Sequence, residues 1–169
     1  YPETWDDDFE VELKEQKAIK VLQHYLKDHH NKIAAIILEP LVQGASGMRI
    51  CRPQFIKAVI DLMRQENILV IFDEVMTGFG RTGTYFALDQ LRIIPDFLCM
   101  SKGITGGFLP LALTVTTRKI FDAFLGDDFS TAFAHGHSYT ANPLACSAAV
   151  TSLRLLKSSE CQNSIKNLN

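Results

Sequence analysis

Apolar residues along this 169-residue chain fall into two rhythms. From Glu12 to His29 they recur at steps of three and four, so that Ala18, Val21, Leu22, Tyr25 and Leu26 share one face of a helix. Beyond it come short runs that are apolar throughout: Ile33–Leu38 (IAAIIL), Ile68–Phe72 and Phe97–Met100. Runs of that length, rich in β-branched residues, predict strands buried on both faces. Leu111–Thr117 alternates in part and predicts a further strand. Pro53 suits the first turn of a helix reaching about Asn67, with Phe55, Ile56, Val59, Leu62 and Met63 inward. Lys119–Leu125 predicts a short helix. Pro143–Lys157 predicts a long one, with Asn142 as its N-cap and Pro143 in the first helical position. Loops are expected at Gln43–Gly47, as a flexible stretch, and at Asp127–Thr140. The polar start, Tyr1–Glu10 with Asp6, Asp7 and Asp8, is expected to be a loop or a frayed end.

Strands alternating with helices argue for an α/β domain with a mostly parallel sheet wrapped by helices. No linker or repeat divides the chain, so residues 1–169 are expected to form a single domain. In such sheets ligands sit beyond the carboxyl ends of the strands. Glu39, Asp73 and Lys102 all fall at or just after predicted strand ends. The hydrophobic pattern alone therefore gathers them at one edge.

Composition narrows the function classes. Hydrophobic residues make up 47% and charged residues 21%, as in an ordinary globular domain. A net charge of −2 lacks the basic footprint of a nucleic-acid binder. No apolar run has the length of a membrane span, and no signal peptide is visible. Cys51, Cys99, Cys146 and Cys161 form no CxxC pair and have no histidines at metal-ligand spacing, so no metal site is expected. A reducing, cytoplasmic setting is the simplest reading. Cys99 and Cys146, in apolar surroundings, are expected to be buried. The paired His29 and His30 point to different sides of a helix and suit a solvated helix end.

The candidate chemistry lies in Ile68–Gly83 (ILVIFDEVMTGFGRTG) and a lysine further on. A carboxylate such as Asp73 beside a pyridine nitrogen keeps that nitrogen protonated, because a nearby opposite charge favours the charged form. A lysine such as Lys102, flanked by Ser101 and Gly103, attacks an aldehyde once it has lost its proton. Local pattern alone also allows a strand-end Asp that braces a loop and a lysine that faces solvent. Thr77–Gly83 lacks the GxxxxGK[ST] pattern and is not a nucleotide loop. Its Arg81 suits an acidic group or a tie to a neighbouring carboxylate. His135–Pro143 places hydroxyls and free amides before a helix N-terminus, which suits either a phosphate or ordinary capping.

Taken together, Glu39-Pro40 with Gln43-Gly44, Asp73-Glu74, TGFGRTG, Ser101-Lys102-Gly103 and Asn142-Pro143-Leu144-Ala145 form a compound pattern. From about Ile33 to Leu156 it closely resembles the class III (subgroup II, ω-type) pyridoxal phosphate-dependent aminotransferases. VQGASGMRI, DEVMTGFGRTGTYFA, PDFLCMSKGITGG and HGHSYTANPLAC point to the branch of that family that acts in biotin synthesis. The resemblance implies the fold type I large domain, a three-layer α/β/α structure, and pyridoxal 5'-phosphate as cofactor. It implies that Lys102 carries the cofactor covalently, that Asp73 pairs with the ring nitrogen and that Val75 lies against one ring face. Ser138, where the family usually has Thr, would bind the cofactor phosphate from the neighbouring subunit of a homodimer with a shared active site. Arg81, Glu39 and Gly136 would contact substrate. The substrates would be a small-molecule amino donor and a keto acceptor, in this branch S-adenosylmethionine and 8-amino-7-oxononanoate. Other ω-aminotransferase specificities, and a non-catalytic α/β module, are the alternatives.

Two residues depart from the pattern. Met76 stands where many ω-aminotransferases carry Gln, which favours the biotin branch. His137 stands where Pro or Ser is commoner. Members are more than twice this length. The chain is thus expected to be the middle of the large domain, without the N-terminal segment and C-terminal small domain, and inactive when isolated.

Overall fold

The structure, a computed structural model, describes residues 1–2 and 10–167. The acidic run Asp6, Asp7 and Asp8 lies outside the described residues. Helix α1 (Val11–Asp28) leads into strand β1 (Ala35–Leu38). A small hairpin follows, of β2 (Val42–Gln43) and β3 (Arg49–Ile50), then α2 (Pro53–Gln65) and β4 (Leu69–Asp73). The short α3 (Ala87–Leu91) precedes β5 (Phe97–Met100), and a 3-10 turn at Lys102–Thr105 leads towards β6 (Leu113–Thr116). The last helices are α4 (Arg118–Asp122), α5 (Pro143–Leu156) and α6 (Ser159–Asn167).

The main sheet has the order β1-β4-β5-β6, with the first three strands parallel and β6 antiparallel. The strand–helix–strand rhythm is thus realised as an α/β fold with a mostly parallel sheet. Register explains its two faces, because side chains alternate along a strand. Ile36 pairs with Val70, and Leu38 with Phe72. This row faces the helices, and Val70 and Phe72 are wholly buried in a core shared with Ile56, Ile60 and Met63 of α2. Full burial of one such side chain contributes roughly 1.5–3 kcal/mol. The opposite row, Ile37 with Ile71 and Asp73 with Cys99, is less covered. Ile37 is 63% exposed and Leu69 37%, so the helices of this chain do not fully cover that face. Glu15 of α1 and Arg52 before α2 lock these helices together through bonds of 2.6 and 3.0 Å.

Several expectations are corrected. Gln43 is a strand residue rather than loop, because Val42 pairs with Ile50 and Gln43 with Arg49, and the loop is the turn of that hairpin. Gly47 (φ +90°) makes the turn, where the left-handed backbone favours glycine. β1 is not buried on both faces, because it forms an edge of the sheet and presents Ile37 outward. Cys99 and Cys146 are half-buried; the buried thiol is Cys51, pushed up to about 12 by burial. α3 and α6 had no signal, since one is five residues long and the other largely polar. Asn142 does cap α5, its side chain accepting from Ala145 N–H at 2.9 Å. No helix among the described residues is long and apolar enough to cross a membrane.

Candidate active site

The carboxyl ends of β1, β4 and β5 lie side by side. Leu38 pairs with Phe72, which brings Glu39 level with Asp73. Asp73 pairs with Cys99, and Lys102 follows three residues later. Neighbouring strands are about 4.8 Å apart. The three sequence candidates are therefore gathered at one sheet edge.

Asp73 is half-buried on the more open face. Its Oδ1 accepts from Val75 N–H at 3.0 Å, and its Oδ2 has no partner among the described residues. One oxygen is thus held and the other left to accept a further proton donor. Lys102 sits in the left-handed region at φ +45°, a conformation that costs a side-chain-bearing residue about 1 kcal/mol or more. The surroundings hold it there. Ser101 Oγ donates to Leu111 O at 2.7 Å, and Ser152 Oγ of α5 donates to Gly103 O at 3.1 Å. The Lys102 side chain is exposed and makes no hydrogen bond or ion pair among the described residues.

Lys102 and Arg81 line one cleft of about 750 Å³, together with Phe79, Gly103, Ser147 and Thr151. Asp73 is not among the residues lining that cleft. Glu39 has its carboxylate engaged on backbone, accepting from Gly44 N–H at 2.9 Å and Ala45 N–H at 3.3 Å. That arrangement braces the hairpin. Gly136 and Ser138 lie on the exposed loop before α5, and no described contact joins them to Asp73 or Lys102. On the same loop His137 acquires a role, since its Nδ1 accepts from Tyr139 N–H at 3.1 Å and tightens the turn.

Glu74 was missed as a candidate. Strand alternation carries Val70, Phe72 and Glu74 to the same inner side, and all three are fully buried. The Glu74 carboxylate accepts from Ala87 N–H at 2.7 Å, Leu88 N–H at 2.8 Å and Thr77 Oγ at 3.0 Å. Burial raises its pKa despite the lowering pull of these donors. It ties the start of the glycine-rich loop to the first turn of α3. Its signal in the sequence was period two continuing one residue past Asp73. Glu74→Ala in the full-length protein is expected to cost about 3 kcal/mol, from buried N–H groups left without acceptors. An unchanged urea midpoint would contradict that role.

Among the described residues, a carboxylate oxygen and a lysine amine, both without a partner, follow adjacent strand ends, and these are the two group types that a pyridine nitrogen and an aldehyde call for. The comparisons agree. Residues 2–169 match the family described as Aminotransferase class-III. The chain is 53% identical over 160 residues to the adenosylmethionine-8-amino-7-oxononanoate aminotransferase of Synechococcus elongatus, covering 95% of this chain and 37% of that protein. The chain thus spans little more than a third of that relative's length. The crystal structure of the enzyme of the same name from Methanocaldococcus jannaschii superposes with a TM-score of 0.78 at 39% identity, covering 89% of this chain and 35% of that one. An amine transaminase from an uncultivated Pseudomonas species, in its PLP-bound form, superposes at 0.82 with 34% identity, covering 92% and 35%. A match over nearly every residue, joined to the sheet edge that carries Asp73 and Lys102, means that this chain belongs to the class-III aminotransferase family.

Proposed function

We propose that the whole protein is a pyridoxal phosphate-dependent aminotransferase of biotin synthesis, moving an amino group from S-adenosylmethionine to 8-amino-7-oxononanoate and giving 7,8-diaminononanoate. The chemistry rests on one observation, an Asp73 oxygen and a Lys102 amine at neighbouring strand ends, both without a partner among the described residues. The choice of substrates is supported by the names of the relatives at 41–53% identity.

Pyridoxal phosphate, when bound, supplies an aldehyde that condenses with amines and a ring that draws electrons from the adjoining carbon. The residues of this chain do the rest. Lys102 would hold the cofactor through Nζ. Nζ then serves as general base, taking a proton from the carbon that bears the donor's amino group and returning one as the transfer completes. Asp73 Oδ2 would accept from the ring N–H and keep the proton there, while Val75 N–H fixes the other oxygen. Arg81, exposed on the cleft wall beside Lys102, attracts an anionic end of a substrate.

Ser138 and Gly136 belong to a stretch in which every residue from Phe121 to Ala141 is exposed. Phe129 is 80% exposed and Tyr139 76%. An apolar surface of this kind supports an extensive partner in the whole protein, in keeping with a homodimer in which Ser138 reaches the other subunit's cofactor phosphate. The four free cysteines suit a reducing, cytoplasmic setting.

A second reading keeps the chemistry and changes the substrate, because ω-transaminases and ornithine aminotransferases also superpose well. A donor screen on the full-length protein separates the two. S-adenosylmethionine is expected to exceed 4-aminobutyrate, ornithine and β-alanine by at least about tenfold in kcat/KM. Equal or better use of a simple ω-amine would move the assignment to that second reading.

A further inference from the structure

Lys102 has no side-chain partner among the described residues, so the backbone turn beneath it sets the direction in which its side chain leaves the main chain. That turn is abutted by the glycine-rich loop. A Cβ built on Gly103 would lie 2.8 Å from the Phe79 Cβ and 3.0 Å from its Cδ2. Phe79 therefore touches the residue that follows the lysine, and Gly103 is the one residue type that fits there without movement. Phe79 itself is left-handed at φ +59°, as is Gly80 at φ +91°. Two side-chain-bearing residues in costly conformations, Phe79 and Lys102, thus meet across Gly103.

Such a loop keeps its shape only if its neighbours hold it. The Phe79 ring packs edge-on against Phe86, with centroids 5.3 Å apart. Gly78 N–H donates to Glu74 O, and Gly80 N–H donates to Tyr85 O, both at 3.1 Å. Gln90 donates from Nε2 to Thr82 O at 2.6 Å. The buried Glu74 carboxylate anchors Thr77 to the base of α3. On the outer side Ile165 of α6 lies against Gly80, where a Cβ would come within 2.7 Å of its Cδ1.

We propose that Phe79 is a positioning residue for Lys102, and that the Thr77–Gly83 loop, anchored by Glu74, is a brace that fixes the backbone turn from which the lysine side chain departs. The proposal rests on the reading of Lys102 as the point of cofactor attachment. Attachment joins Nζ to the aldehyde carbon of pyridoxal phosphate and releases water. Borohydride then adds hydride to that carbon and leaves a stable secondary amine on the lysine.

The test follows this capture in full-length protein freed of cofactor. Pyridoxal phosphate is added, aliquots are quenched with borohydride, and peptide mass spectrometry reads the modified fraction at Lys102. The rate is expected to fall stepwise through Phe79→Leu, Phe79→Ala and Phe79→Gly, reaching about tenfold at glycine, as loosened alignment predicts. Gly103→Ala is expected to slow capture in the wild-type background and far less in the Phe79→Gly background, where the opposing Cβ is gone. Phe79→Leu keeps the Cβ and most of the apolar volume, and it supplies a folded member of the series. An unchanged rate in every variant with a wild-type circular dichroism spectrum would overturn the brace. So would effects of Gly103→Ala and Phe79→Gly that simply multiply. Wild-type protein that never labels at Lys102 would overturn the assignment of the lysine, and the brace with it, a result distinct from either pattern among the variants.

Discussion

Lys102→Ala in the full-length protein is expected to abolish covalent attachment of the cofactor and to lower turnover by at least about 10⁴-fold. Two roles are lost together, attachment and proton transfer at Nζ, and general base catalysis alone is commonly worth 10²–10⁴-fold. Stability should change little. The side chain is exposed and has no partner among the described residues, and alanine has the same backbone requirement at φ +45°. The direct measurement is the visible absorbance of protein-bound cofactor, which depends on the lysine linkage. Retention of that absorbance in Lys102→Ala would show that another amine carries the cofactor. Part of the lost activity should return when a small primary amine is added, since it can enter the space left by the side chain and move the same proton. Rescue of that kind separates a missing base from a disturbed fold.

Much of this site was legible because strand ends are legible. The runs before Glu39, Asp73 and Ser101 are short and apolar and end in polar residues, and the strands stop within two residues of the expected positions. Parallel register then does the gathering. What resisted reading depends on packing between distant segments. Nothing local marks Gly103 as the neighbour of Phe79, because the contact joins two loops that only the sheet brings together. The hairpin at Val42–Ile50 was missed because its strands are only two residues long, and the Glu39 carboxylate that accepts from the turn is supplied from outside it. Glu39 itself accepts from two backbone N–H groups of the hairpin, contacts that no local pattern marks. Ile37 was expected to be buried because its run is uniformly apolar. That reading is correct for a strand with a covered second face, and in this chain the face is open. Phe108, Phe129, Phe133, Tyr139 and Leu144 are likewise large apolar residues left exposed in this chain.

Asp73→Asn is expected to leave attachment at Lys102 largely intact and to cut kcat by about 10³-fold, the scale associated with losing one preorganised electrostatic contact to developing charge. Asparagine matches the shape of aspartate and can still accept from Val75 N–H through its oxygen. The other terminus then becomes an NH₂ group, which presents hydrogen where a ring N–H needs an acceptor. The pyridine nitrogen loses its reason to stay protonated, and the ring loses most of its pull on the substrate carbon. Because the damage falls on the chemical step, KM for the donor should move far less than kcat. Kinetics identical to wild type would remove Asp73 from the mechanism. The neighbouring residue supplies the control. Glu74 lies one position on and therefore faces the opposite side of β4, into the core, where its carboxylate is spent on Thr77, Ala87 and Leu88. Substitution at 74 should appear first in the unfolding midpoint and substitution at 73 first in kcat. Two adjacent acids of the same charge would then divide stability from catalysis purely by the side of the strand on which each one falls.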